Sequence, residues 1–269
     1  MIHFDTFIRT VSEKKFFYDR FSQDDVCGMF TLGHFLSIAL FFLLGGIMLY
    51  FSRKLSPTGV KKAKLAVAIA VTIMEIAKIS IRIYKNQWYD SWLPLYYCSL
   101  FIFAIWASVS PFRPLSRMGN AYITMGGVAA AVFFTFYPST SLAIFPIWHP
   151  AAIHSFVYHL IMFYTGILIL TKKDYVPDKR DSIGYFIFIL AACLISLPLN
   201  LNLGTNCMFL NHAFKLPIME PIINFSKPLY MLVVFLAQGS LMFWGNYLLY
   251  LCVPKLITKI KDKKRKETV

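Results

Sequence analysis

The chain has 269 residues, of which 58% are apolar, 17% aromatic and only 15% charged. Soluble domains are roughly 45–50% apolar and about 25% charged, so this balance excludes an ordinary soluble fold. A formal charge of +14 would suggest nucleic acid in a soluble protein, but here the basic residues gather in loops and in the tail, so the expected anionic partner is lipid headgroups and not nucleic acid.

Residues 1–28 mix charge with aromatics and lack a short apolar core followed by small residues, so no cleavable signal peptide is expected. Phe4, Phe7, Ile8, Val11 and Phe16 lie among Arg9, Lys14, Lys15 and Arg20, which suits either a helix lying at the membrane interface or a loose terminus. Beyond them, charges fall between apolar runs of about 18–23 residues, the length that spans hydrocarbon roughly 30 Å thick. The runs are about 30–51, 62–83, 92–110, 119–137, 151–171, 183–199 and 229–252. They predict an all-α polytopic membrane protein, a seven-helix bundle filling residues 29–252 as one domain, with a basic tail at 253–269.

The first run contains His34. The second is the least apolar and holds Glu75, Lys78 and Arg82 at i, i+3 and i+7, one helix face, where Glu75 and Lys78 can share the membrane as a pair. The third opens at Leu93-Pro94-Leu95-Tyr96-Tyr97-Cys98; Pro94 suits a first turn, with Cys98 one turn deeper, and Pro111 and Pro114 mark the loop after it. The fourth carries Gly126-Gly127, which permits close helix contact. The fifth holds His154 and His159. Pro198 is expected to end the sixth. Residues 200–228 are too polar and proline-broken to span, yet rich in Leu, Ile, Phe and Met, so they are expected to fold back onto the bundle. The seventh contains Gln238 and Asn246. Trp88, Trp92, Trp148, Tyr84 and Tyr89 near span ends read as an aromatic belt.

Counting Lys and Arg over alternate loops gives 18 on one side and 8 on the other. The positive-inside rule then puts the N-terminus outside and the C-terminus in the cytoplasm, as for a multi-pass protein of the cell membrane. At about 1.5 Å per residue, Cys98, His159, Glu75, Gln238 and His34 fall in one layer toward the outer face. Polar groups at one depth must meet each other or line a wet cavity, and intramembrane ionisable residues are functional candidates by default.

Cys98 and His159 are the sharpest pair. A thiol in a low-dielectric site needs a base within hydrogen-bond reach to become a nucleophile, and acyl transfer through a thioester suits such a pair. The plain alternative is a cysteine that fills space in a helix. His154, five positions before His159, is turned about 140° away around the helix and suits the headgroups or the neighbouring loop. Asn206, in Gly204-Thr205-Asn206-Cys207-Met208-Phe209-Leu210, could donate to a developing oxyanion or satisfy the backbone of a turn. Tyr97, His154, Glu75 and Gln238 complete the candidates for substrate binding. Cys27, Cys98, Cys193, Cys207 and Cys252 show no paired spacing, so no disulfide framework, metal site or cofactor is expected.

Taken together, Leu93 to Cys98, the Gly126-Gly127 region with Tyr137-Pro138, Phe156-Val157-Tyr158-His159, and Gly204 to Leu210 with Pro217 beyond resemble the YwaF-like family of membrane proteins, which includes the animal transmembrane protein 164. The resemblance covers about residues 30–250. It implies a seven-span bundle and, as in the animal branch, a phospholipid acyltransferase that passes a fatty acyl chain between phospholipid and lysophospholipid. Carried over, it makes Cys98 the nucleophile and His159 its base, and Asn206 matches a recurring family position. The chain departs from the family at Tyr96, where a histidine is frequent, and at Cys207, where a tyrosine is frequent. The alternative function is a transporter or binding protein for lipids or small solutes, with Glu75 taking up a proton in the same cavity.

Overall fold

The computed structural model describes residues 21–22, 24–84, 93–213 and 218–253. The interfacial segment expected at 4–22, Trp88, Tyr89, Trp92, Pro217 and the basic tail lie wholly or almost wholly outside the described residues. Among those described, all regular structure is helical: α1 (Leu32–Ser52), α2 (Pro57–Tyr84), α3 (Cys98–Ser108), α4 (Arg113–Phe136), α5 (Pro150–Thr171), α6 (Asp181–Leu203), α7 (Glu220–Phe225) and α8 (Lys227–Val253). Five of them, α1, α4, α5, α6 and α8, are long and apolar enough to cross a membrane.

Among the described residues, the other two expected spans do not meet that measure. The second expected span is a 28-residue helix, but Lys61, Lys62, Lys64, Glu75, Lys78 and Arg82 leave it too charged to count by composition. The third is short. A 3₁₀ turn of three residues, Cys98–Leu100, runs into an eight-residue α-helix, Phe101–Ser108, about 16 Å in all, roughly half the hydrocarbon thickness.

Helix starts follow local chemistry. The Thr31 side chain caps α1 by accepting from the His34 amide, and His149 caps α5 by accepting from Ala151, with Pro150 in the first turn. Pro198 does not end α6, contrary to expectation; the helix runs on to Leu203 and stops where Gly204 takes a left-handed φ of 65°. A proline inside a membrane helix is tolerated where other groups take up the freed carbonyls.

The chain forms two compact units, one of residues up to Pro94 with Gly127–Asp174, the other of Leu95–Gly126 with Tyr175 onward. In the first, α5 packs against α1, α2 and the second half of α4. Its ends are fastened by polar contacts. His34 Nε2 donates to the Thr135 carbonyl at 2.9 Å, and Gly28 N donates to Leu142 at 2.8 Å. At the other end Ser52 and Tyr164 share a hydrogen bond of 2.6 Å, and Lys64 pairs with Asp174 at 2.8 Å. These contacts join the chain before α1 to the 4–5 loop, and the start of α2 to the end of α5, as alternating helices require.

In the second unit α4 packs on α3 and α6, and the start of α8 with its central π segment meets α6. Gly119 is where α3 and α4 come closest: a Cβ there would strike the Ala104 carbonyl and lie 2.6 Å from the Ser108 nitrogen. No side chain fits at that crossing.

Candidate functional site

Cys98 stands at the first residue of α3, not one turn inside it, because the chain from Leu93 to Tyr97 stays irregular. Irregular backbone at membrane depth persists only where protein or a wet cavity satisfies it. Here every freed carbonyl from Leu95 to Tyr97 has a donor: Met208 N on Leu95 at 2.8 Å, Leu100 N on Tyr96 at 3.1 Å, and the Tyr122 hydroxyl on Tyr97. Cys98 as a residue is half-buried, while Tyr97 before it and Leu100 and Phe101 after it are buried.

The donor Met208 comes from the connection after α6, whose stretch 204–213 folds back onto its unit as expected. Met208 and Phe209 have φ of 53° and 56°, a left-handed pair of residues with side chains. Such backbone costs of order 1–3 kcal/mol per residue and persists only when its surroundings over-determine it. Asn200, in the last turn of α6, supplies much of that: its Oδ1 accepts from Thr205 Oγ1 and Cys207 N, both at 2.8 Å, and its Nδ2 donates to the Cys207 carbonyl at 2.9 Å. Gln238 Nε2 donates to Met208 at 3.0 Å, and the Tyr230 hydroxyl to Phe209 at 2.7 Å.

A second chain of bonds reaches the same place from below. The Tyr97 and Tyr185 hydroxyls are 2.5 Å apart, and Tyr185 donates to the Gln238 carbonyl at 3.0 Å. Since the Tyr185 proton is committed, Tyr97 is the donor in the phenol pair. The Gln238 carbonyl lies in residues 237–241, which wind as a π-helix. Gly126 is required beside this pair: a Cβ there would collide with both phenol oxygens. Gln238 therefore serves the Leu95–Cys98 segment through both its side chain and its main chain.

Asn206 bonds within the turn. Its Oδ1 accepts from the amides of Asn211 and His212, both at 2.9 Å, and its Nδ2 donates to the His212 carbonyl at 3.2 Å. Its amide orders this loop.

The other unit holds His34, His154 and His159. His159 is 7% exposed, stacked on Phe134 with ring centroids 3.7 Å apart. Its Nδ1 lies 2.7 Å from the Ser155 carbonyl, which can only accept, so Nδ1 carries the proton. That leaves the Nε2 lone pair, and Nε2 is buried without a hydrogen-bond partner. His34 differs: Nδ1 accepts from Phe30 N at 3.0 Å while Nε2 donates to Thr135, so both nitrogens serve the fold.

Glu75 is 3% exposed and pairs with Lys78 at 2.5 Å. His154 Nε2 is 4.0 Å from the other Glu75 oxygen, so His154 turns toward α2 within its unit. Among the described residues no three His, Cys, Asp or Glu side chains gather as a metal site.

Cys98, Tyr97, Gln238 and Asn206 thus belong to one unit, and His159, His154 and Glu75 to the other. Asn200, Tyr122 and Tyr185 escaped the sequence reading. Only Asn200 carried a signal, a capping-type residue shortly before the glycine that ends α6.

The TMEM164 family model matches residues 29–250 of this chain. The chain belongs to the TMEM164 family. Together with its five apolar helices this makes it a multi-pass membrane protein. No curated protein and no solved structure matches it.

Proposed function

We propose that this member of the family is a membrane acyltransferase that moves a fatty acyl chain between phospholipid and lysophospholipid, with Cys98 as nucleophile and His159 as its base. The observation that carries the reading is the setting of Cys98: a half-buried cysteine at the broken start of a half-length helix, on backbone pinned from both sides. His159 supports it with a fixed tautomer and a buried, unpartnered Nε2. The pairing of the two groups is part of the proposal.

In the reaction the thiol proton passes to Nε2 of His159, sulfur bonds the acyl carbonyl carbon, and the ester C–O bond breaks. The departing lysolipid oxygen takes the proton back. Attack by the hydroxyl of a second lysolipid reverses these steps and returns Cys98 as thiol. We further read the bundle as YwaF-like, with seven spans in the cell membrane, the N-terminus outside and the C-terminus cytoplasmic, from the Lys and Arg excess.

An acyl-phosphonate probe applied to native membranes, followed by mass spectrometry, tests the chemistry. Selective labelling of Cys98 that disappears in His159→Ala is expected. An unlabelled Cys98 that still reacts with a small thiol reagent overturns the mechanism.

A second reading is a proton-coupled carrier, favoured by one observation: a buried carboxylate, Glu75, between Lys78 and a titratable histidine. It requires Glu75→Gln to stop solute or lipid movement while Cys98→Ala is tolerated, and the opposite pattern excludes it.

A further inference from the structure

A second feature of the Cys98 unit lies at the far end of α3, where α4 and α6 begin. Arg117 grips Asp181 with two parallel bonds of 2.8 and 2.6 Å. The Tyr175 hydroxyl and the Asp178 amide donate to the same carboxylate at 2.7 and 2.8 Å. These bonds saturate the carboxylate, so Arg117 and Asp181 cancel in charge. The pair forms part of the wall of a groove of about 520 Å³, which is also lined by Arg113 and Arg180 and by Pro114, Met118, Ile183 and Ile187.

Neither Arg113 nor Arg180 has an ion pair or side-chain hydrogen bond among the described residues, so two positive charges face the groove unmatched. Ile183 and Ile187, 64% and 54% exposed, follow each other at i and i+4 along α6. Charge thus lies at the helix starts and an apolar track leads from it along the helix. A soluble anion needs only the first; a phospholipid needs both.

We propose that this groove is a binding site for an anionic phospholipid, its phosphate held by Arg113 and Arg180 and one acyl chain lying on Ile183 and Ile187. Guanidinium groups bind phosphate oxygens in pairs of parallel bonds, and basic recesses at the cytoplasmic ends of membrane helices suit anionic headgroups. The site is separated from Cys98 by the length of α3, about 16 Å, and does not depend on acyl transfer.

The test uses purified full-length protein in mixed micelles holding equal dioleoylphosphatidylglycerol and dioleoylphosphatidylcholine, with bound lipid counted by native mass spectrometry. The wild type is expected to retain the glycerol lipid preferentially. Arg113→Gln with Arg180→Gln should lower that retention by about fivefold per arginine removed. Lys61→Gln with Lys62→Gln removes the same charge from an exposed stretch of α2 and should leave it unchanged. Unaltered retention in the arginine variant, equal loss in the lysine variant, or displacement of the lipid by inorganic phosphate at matched concentration would each overturn the proposal, the last by making this a soluble-anion site. Both arginines are exposed and unpaired, so the variant should melt like the wild type.

Discussion

The two units differ in how most of their buried polarity is met. In the unit of His159, buried charge meets opposite charge: Lys64 with Asp174, Lys78 with Glu75. Around Cys98, away from the Arg117–Asp181 pair at the far end of the unit, the buried polar side chains are neutral phenols and amides, and most of their partners are main-chain groups: Tyr122 on Tyr97, Tyr185 on Gln238, Gln238 on Met208, Asn200 on Cys207. Pairing of charges lets straight helices carry ions through an apolar phase. Spending neutral side chains on backbone lets a helix be broken and its ends be held still. A fixed thiol requires the second arrangement.

Removing one partner in each unit sharpens the contrast. Lys64→Met strands the Asp174 carboxylate and should cost about 3–5 kcal/mol, read as a lower unfolding midpoint in detergent, and adding Asp174→Leu should return most of it, since an apolar pair of similar volume replaces a buried ion pair at little cost. Asn200→Leu takes the shared acceptor from the Cys207 amide and the Thr205 hydroxyl, while the Cys207 carbonyl keeps Leu210 N at 3.3 Å, and should cost about 2–6 kcal/mol at roughly 1–3 per group. No second substitution restores it, because the Cys207 partner is backbone. If the Lys64 and Asp174 losses simply add, or if an apolar change near Cys207 rescues Asn200→Leu, the contrast between the units fails.

The same contrast explains what could be read from the chain. Apolar length located α1, α5 and α8 to within a few residues, and alternation of helices placed the loops that later proved to touch within each unit. Side chains that act on their own helix, such as Glu75 with Lys78 at i, i+3, were legible because spacing is local. Those that serve backbone far away were not. Nothing in the sequence ties Tyr185 to Gln238, Gln238 to Met208, or Met208 to Leu95, and without those bonds Cys98 looked like a residue inside a regular helix. Pro198 misled because a proline stops a helix only when nothing else meets the freed groups. Asn206 was ambiguous in sequence, and its bonds to the amides of Asn211 and His212 show its part in the turn.

A smaller effect tests the far end of the Cys98 unit, where a charge pair and a phenol meet. Burial, with the bond to Asp181, pushes the Tyr175 hydroxyl well above its ordinary value. A folded-state pKa above the unfolded one means that stability is fully present below about pH 10, the unfolded tyrosine value, and is lost as pH rises beyond it, since the unfolded chain gives up a proton that the folded chain keeps. At pH 11 the loss from this one group should be about 1.4 kcal/mol, and Tyr175→Phe should abolish that share of the slope. The readout is the difference in unfolding midpoint between pH 8 and pH 11 for wild type and variant. Equal slopes would mean that the phenol is not held neutral by Asp181, and the carboxylate that cancels Arg117 would then have one donor fewer than the groove beside it requires.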